Sequence, residues 1–389
     1  MKKYDVIVVG AGPAGSMAAY TLSKEGMKVL LIDRKDTPGR PKQCAEAIGK
    51  KTFEFLKMKV EDKWISNKYD SLLLGIGNKS KVLFKTPRTK GYVLDRKVFD
   101  YDLAMKAHSA GAEIIFGTAV EGVKIQDEVT IETTKGKRKA KVLIAADGPQ
   151  SKIAKQLGLG QLKNNFSFQY ELEGTHELSH TLQMLFYPGA DSDSCAWIFP
   201  KKKSVNVGIA SEFLPNLKKK LNQFVQTMDL SSRKILELNA GLIPGQNKLK
   251  KIFFDRVLIV GDAAGHTNPF TGGGIPTALY DGVLSAEVTI KAIKADRVDA
   301  RYLCKYQQQW EKSPFGKAWR EGGKLRKEAD RYKNSKVLTR ICSKVDFETI
   351  TSRKGAIKKG ISKGFTPKES IMLYKFMTLL FDKVIDYAM

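Results

Sequence analysis

The sequence predicts an α/β protein in which a parallel sheet is interrupted by an α+β insert and followed by a helical C-terminal region. Three observations predict it. The chain opens on Asp5-Val-Ile-Val-Val-Gly-Ala-Gly-Pro-Ala-Gly15, an apolar run that enters a glycine-rich turn. Far downstream, Val257-Leu-Ile-Val-Gly-Asp262-Ala-Ala-Gly265 repeats the strand-into-glycine pattern with an acid at its end. Between them, Phe166 to Ala210 falls into short alternating runs without a helical period.

The first element reads as a buried parallel strand, because Val6 to Val9 is β-branched and lacks polar alternation. Gly10 permits the tight turn after it, Gly12 lets backbone approach a pyrophosphate, and Gly15 lets the next helix pack closely. That helix runs from about Pro13 to Lys24, with Pro13 suited to a first turn and Ala14 beside it. Its unpaired N–H groups and positive dipole end favour phosphate. Lys28 to Ile32 forms the second strand, and Asp33 at its end is placed to bind a ribose hydroxyl. Together these residues predict a dinucleotide site.

Further along, a Pro/Gly loop spans Thr37 to Ile48, a short helix follows near Lys50 to Met58, and Ser71 to Lys85 reads as paired strands. Asp95 caps a helix that reaches Ser109, with Gly111 as its stop. Strands are expected near Glu113, Val120, Val129 and Val142. The insert continues as Phe166–Leu172, Thr181–Phe186, Cys195–Phe199 and Val205–Ala210, then a helix from Leu214 to Met228 and a strand near Gly241. Phe253 to Val260 returns to the parallel sheet, Gly274 to Lys294 is a long helix, and the remainder reads as helical.

Composition narrows the function classes. The 389 residues suffice for two or three domains, with 42% hydrophobic and 28% charged residues. No apolar stretch approaches the roughly 18 residues of a membrane span. Strand one starts at about residue 4, which leaves no room for a signal peptide. Cys44, Cys195, Cys304 and Cys342 form no C-x-x-C pair, which argues against a metal site and fits a reducing cytoplasm. His176 and His180 fall on a strand-to-strand turn and read as surface residues. The net charge of +26, nearly half of it beyond residue 292, fits an anionic membrane surface, an acidic partner or a generally lysine-rich surface. No nucleic-acid signature accompanies it.

Three motifs converge on the dinucleotide. Tyr92-Val-Leu-Asp95-Arg96 puts Arg96 at a helix start, within reach of a phosphate or a ring edge. Asp147-Gly148 ends a strand ahead of another helix. Gly261-Asp262 ends the third, where Asp262 can bind ribityl hydroxyls, and Pro269-Phe-Thr-Gly272-Gly273-Gly274 leads into the long helix at Ile275. That helix end favours the negative charge of a reduced flavin.

Over residues 3–290 this set resembles the flavoprotein superfamily of aromatic hydroxylases and geranylgeranyl reductases. Lys42-Gln-Cys44-Ala45-Glu46-Ala-Ile and Cys195-Ala-Trp197-Ile-Phe199-Pro200 are similar to the geranylgeranyl reductase family, particularly its archaeal members. The chain departs from that family by Cys195 in place of Tyr and Ala47 in place of Gly. The resemblance implies a Rossmann-like FAD-binding domain of the aromatic-hydroxylase type, over 1–60, 92–165 and 250–295. It also implies an antiparallel substrate sheet over 61–91 and 166–249, with a helical region over 296–389. FAD is the implied cofactor, held by the glycines above with Pro13, Ala14, Asp33, Arg34, Cys44, Ala45, Arg96 and Ala119. Asp147, Gly148, Gly261, Asp262, His266, Pro269 and Ile275 complete the implied set. Cys44 is the implied catalytic residue, and Trp197, Phe199 and Pro200 the substrate residues. Cys44 also reads as an ordinary buried thiol, and Trp197 and Phe199 as core.

The implied reaction is saturation of prenyl C=C bonds on a geranylgeranyl lipid. An aromatic monooxygenase and a non-catalytic FAD- and lipid-binding electron carrier are the alternatives. No second complete GxGxxG follows, since Gly158-Leu-Gly160 lacks the third glycine, so NAD(P)H or a ferredoxin is the expected electron donor. From Ser370 to Tyr387 a narrow polar stripe on an apolar helix, near the basic run Arg353 to Lys363, fits docking on protein or on the inner face of a membrane.

Overall fold

The computed structural model describes residues 2–76, 80–85, 89–187, 194–332 and 348–349. The first sheet runs Phe253–Phe254, Val257–Ile259, Gly136–Ala145, Lys3–Val9, Val29–Ile32, Glu113–Ile115 in spatial order. The central members pair in parallel, with Val9 beside both Ala145 and Ile32. Val6, Ile7, Val8, Leu30 and Leu31 are fully buried, as expected for strands covered on both faces. Val120–Ile125 and Val129–Thr133 extend the sheet as an antiparallel meander from Gly136–Ala145.

The helix Pro13–Lys24 packs against the helix Ile275–Lys294. Gly282 makes that close crossing possible, since a Cβ there would lie 2.5 Å from Ala14 O and 2.8 Å from Met17 Cβ. The helix Arg96–Ser109 starts under an Asp95 cap, whose carboxylate accepts from the N–H groups of Lys97 and Val98. Leu303, Tyr306 and Trp310 of the helix Ala300–Lys312 are fully buried in the same core, and the helix Pro314–Tyr332 follows.

The second sheet has the order Ile235–Pro244, Asn164–Glu173, Ser204–Ser211, Ser194–Pro200, Thr181–Tyr187, Ser71–Ile76, Ser80–Lys85, Glu348–Thr349. Strand alternation sorts its side chains onto two faces. Leu172, Val205, Val207, Ala196 and Ile198 pack on one face with Leu217, Leu221 and Phe224 of the helix Leu217–Thr227. Met184, Trp197 and Phe199 form the other face, packed with Phe270.

Four details differ from the sequence expectation. Phe253 to Val260 is not one strand: Arg256 takes a left-handed φ of 61° and reverses the chain, so Phe253–Phe254 pairs antiparallel with Val257–Ile259. The second sheet is not wholly antiparallel. Thr181–Tyr187 pairs in parallel with Ser71–Ile76, because two distant segments meet there without a hairpin to set their direction. A small third sheet, Ala47–Gly49, Gly91–Leu94 and Ile65–Tyr69, was not expected. Within the stretch read as helical, Glu348–Thr349 pairs as a short strand with Ser80–Lys85. The expected Arg353–Lys363 and Ser370–Tyr387 features lie outside the described residues. Among the described residues no helix is long and apolar enough to cross a membrane.

Candidate active site

A continuous cavity of about 470 Å³ runs from the glycine-rich turn to the inner face of the second sheet. Gly10, Gly12, Pro13, Ala14, Asp33 and Arg34 line one end, with Ala119, Asp147 and Gly148 beside them. Asp262, Pro269, Gly272, Gly273, Gly274 and Ile275 line the middle, as do Cys44, Ala45 and Arg96. Trp197, Phe199, Met184, Cys195 and Phe270 line the far end. Residues from nine separate segments of the chain therefore line one cavity.

The turn geometry explains the glycines. Gly10 has φ +104°, and a Cβ on it would lie 2.1 Å from Ala146 O. A Cβ on Gly15 would lie 1.8 Å from Gly10 O, so Gly15 serves strand–helix packing and does not line the cavity. A Cβ on Gly12 meets nothing within 4 Å, so this glycine leaves open space. Asp33 is already engaged by backbone: Ala11 N–H donates to its Oδ2 at 2.5 Å and Lys35 N–H to its Oδ1 at 2.8 Å.

The site fits FAD on three counts. The helices Pro13–Lys24 and Ile275–Lys294 both begin at glycines that offer no side-chain cap, and both begin on the cavity. Asp147 Oδ1 is buried without a hydrogen-bond partner, although Ile153 N–H reaches Oδ2 at 3.3 Å. Both polar atoms of the Asn239 amide are likewise buried without partners on the cavity wall. Burial pushes the carboxyls of Asp147 and Asp262 above their ordinary range, Asp262 against the hydrogen bond that Thr267 Oγ1 donates at 2.7 Å.

Cys44 sits where the two ends meet. Burial pushes its thiol pKa up, against the pull of the Arg96 charge, so the neutral thiol is favoured. Glu46 N–H lies 3.2 Å from its Sγ, and Gln169 Nε2 donates to its carbonyl at 3.1 Å. Asp100 holds the Arg96 guanidinium through two hydrogen bonds at 2.6 and 2.7 Å. Burial opposes its charge, but Asp100 outweighs burial and the pKa is raised. Trp197 Nε1 donates to Gln169 Oε1 at 2.7 Å, which orients the indole. Burial raises the Cys195 thiol to about 12.

Besides Gly15, three expected residues lie off the cavity wall. Gly261 lies behind it, its N–H donating to Asp281 Oδ2 at 2.7 Å. His266 is fully buried, with Nδ1 2.7 Å from Asp281 Oδ2 and its ring stacked on Trp310 at 3.6 Å. Pro200 is also absent from the wall; its carbonyl accepts from Asn67 at 2.9 Å. Sequence reading did not single out Gln169, Asn239 and Arg326, which do line it. It also missed the largely buried Lys42, Lys201, Glu46 and Glu171 group, in which Lys42 pairs with Glu171 across 129 residues and Lys201 with Glu46 across 155. Only the alternation of the 164–173 strand, which puts Gln169 and Glu171 on one face, hinted at it. Among the described residues no His, Cys, Asp and Glu cluster could hold a metal.

The fold and cavity define an FAD-dependent oxidoreductase, and the FAD binding domain family matches residues 3–310. Digeranylgeranylglycerophospholipid reductase 1 of Methanopyrus kandleri is 36% identical over 330 residues, covering 79% of this chain and 86% of that protein. The Methanocaldococcus jannaschii digeranylgeranylglycerophospholipid reductase is 35% identical over 331 residues, 80% of this chain and 83% of that protein. A geranylgeranyl bacteriochlorophyll reductase-like protein from Thermoplasma acidophilum superposes with a TM-score of 0.82 at 26% identity, over 97% and 100% of the two chains. The flavin-dependent brominase Bmp2, at 17% identity and TM-score 0.69, shares the fold over 88% of this chain and 93% of its own. The chain belongs to the digeranylgeranylglycerophospholipid reductase family.

Proposed function

We propose that this protein saturates C=C bonds of geranylgeranyl chains on an isoprenoid glycerophospholipid or on geranylgeranyl diphosphate. The observation that carries this reading is the continuity of the cavity: a dinucleotide cradle opens directly onto Met184, Trp197, Phe199 and Phe270 through Cys44. Relatives named for that reaction at 33–36% identity support it.

Gly10, Gly12, Pro13 and Ala14 would hold the pyrophosphate of FAD and Asp33 and Arg34 its adenosine, with Ala119 lining the same cavity. Asp147, Gly148, Asp262 and the 269–275 segment would hold the ribityl chain and flavin, with Cys44, Ala45 and Arg96 lining the same cavity. FAD, when bound and reduced, would supply the hydride that, with one proton, saturates the alkene. An isolated alkene has no carbonyl to polarise, so the chain's own work is alignment and exclusion of water. Trp197 and Phe199 wall the prenyl chain, and the neutral Cys44 thiol packs against the reacting bond. Gly15, Gly261 and His266 act from behind the wall, by fixing the backbone that meets FAD.

The test is anaerobic reduction with dithionite in the presence of geranylgeranyl diphosphate or an unsaturated archaeal lipid, read by mass spectrometry as added pairs of hydrogen. A reduced flavin that no prenyl chain reoxidises would overturn the reading. Cys44→Ala and Cys44→Ser with FAD retained test the thiol, and undiminished turnover would remove Cys44 from the reaction.

The electron donor is NAD(P)H or a ferredoxin. A net charge of +26 favours an acidic ferredoxin by steering, which makes the reduction rate fall steeply with salt. The enzyme works in the cytoplasm at an anionic membrane surface, where its lipid substrate resides. Flotation with phosphatidylglycerol vesicles at low salt tests this, and absence of binding there counts against it.

A further inference from the structure

Glu46 combines three features that neither cofactor binding nor folding requires together. It is a non-glycine residue at φ +77°, it is completely buried, and it stands two residues from Cys44. A left-handed backbone at a long L-residue is unfavourable and persists only where the surroundings over-determine it. Here they do. Its Oε1 accepts from Arg96 N–H at 2.9 Å. Its Oε2 collects Asn206 Nδ2 at 2.8 Å, Lys201 Nζ at 2.9 Å and Lys42 Nζ at 3.3 Å. Its own carbonyl accepts from Leu94 N–H at 2.8 Å.

These donors come from the cofactor loop, the start of the helix Arg96–Ser109 and the second sheet. The charge group closes with Glu171, which Lys201 meets at 3.3 Å and Lys42 also pairs, and with Glu237, 2.8 Å from Lys97 and 3.7 Å from Lys42. Three carboxylates thus face three lysines. Apolar residues would join two layers with less desolvation, so such a group is better explained by the geometry it specifies than by stability. That geometry ends on one atom: the left-handed turn lays Glu46 N–H 3.2 Å from Cys44 Sγ. Asn206 Nδ2 on Ala45 O at 3.3 Å and Gln169 Nε2 on Cys44 O at 3.1 Å pin the two residues before it.

We propose that Glu46 is a positioning residue, whose carboxylate locks the turn that holds the Cys44 thiol between the cofactor and substrate ends of the cavity. Its carboxylate oxygens are taken up by protein donors, and it acts through Cys44. The inference rests on the reading that Cys44 faces the reacting bond.

The test uses the FAD-loaded full chain and four variants: Glu46→Gln, Glu46→Gln/Lys201→Met, Cys44→Ala and Cys44→Ala/Glu46→Gln/Lys201→Met. The lysine change removes one of the two cations that Glu46 balances, so the double variant keeps the group's net charge unchanged if the single one does not fold. We expect the double variant to retain FAD. Its kcat for anaerobic prenyl reduction falls on the order of tenfold to a hundredfold, with KM nearly unchanged. In the Cys44→Ala background the same change costs little further. Iodoacetamide labelling, followed by peptide mass spectrometry with Cys195 as the internal reference, changes selectively at Cys44. An equal loss of kcat with and without the thiol, or unchanged labelling of Cys44, overturns the proposal. Undiminished turnover of Cys44→Ala alone instead removes the role of the thiol, while labelling still reports whether Glu46 positions it.

Discussion

The Trp197 indole occupies the space that a side chain at position 208 would need: a Cβ on Gly208 falls 2.2 Å from Cζ2 of the ring. The two residues are directly paired on neighbouring strands, so the glycine exists for its neighbour. Gly208→Ala must push the indole off its 2.7 Å hydrogen bond to Gln169. Overpacking of this kind costs about 1–3 kcal/mol. We expect a lower urea midpoint and impaired prenyl reduction with FAD still bound. A variant with unchanged stability and turnover would mean that the indole moves freely.

The three glycines of the first turn separate by what they touch. Gly10→Ala and Gly15→Ala collide with backbone at 2.1 and 1.8 Å, so both destabilise the chain even without cofactor. Gly12→Ala meets no protein atom within 4 Å, so it leaves the apoprotein stable and weakens FAD. Thermal unfolding with and without FAD distinguishes them. Loss of apoprotein stability in Gly12→Ala as large as in Gly15→Ala would refute the distinction.

The same contrast shows what the sequence could reveal. Gly10, Gly12 and Gly15 are legible because a strand, a turn and a helix follow one another within one local segment, and local geometry fixes their roles. Asp95 is legible for the same reason, as a cap next to its own helix. His266 is not. It neighbours Gly261-Asp262 in sequence, yet its ring turns toward Asp281 and Trp310, partners that only tertiary packing supplies. Lys42 and Lys201 were lost in the overall positive charge, because composition cannot tell a buried lysine from a solvated one. The parallel pairing of Thr181–Tyr187 with Ser71–Ile76 escaped because no short connection joins them.

Asp281 carries a prediction that follows from His266. Its fully buried Oδ2 accepts from both Gly261 N–H and His266 Nδ1, each at 2.7 Å, directly behind the Asp262 turn. Asp281→Asn supplies one acceptor and a surplus donor, and leaving a buried donor unsatisfied costs about 1–3 kcal/mol. We expect lower stability together with weaker FAD retention on dilution, measured by flavin fluorescence. Stability loss with FAD affinity intact would mean that the turn does not depend on this carboxylate.

Glu171 gives the acid limb of stability. Burial pushes its carboxyl upward, but Lys201 and Lys42 outweigh burial and hold it at about 2. A carboxylate depressed on folding stabilises fully above its unfolded pKa, and the contribution is lost as pH falls from the ordinary carboxylate range toward 2. Its side chain keeps 14% exposure, so solvent screens part of this effect. Glu171→Gln should therefore lower the urea midpoint at pH 7 while flattening its decline between pH 5 and about 3, the window in which the unfolded carboxyl protonates and the native one stays ionised. Parallel declines for the two proteins over that range would place the acid sensitivity elsewhere than in the lysine-bound carboxylate.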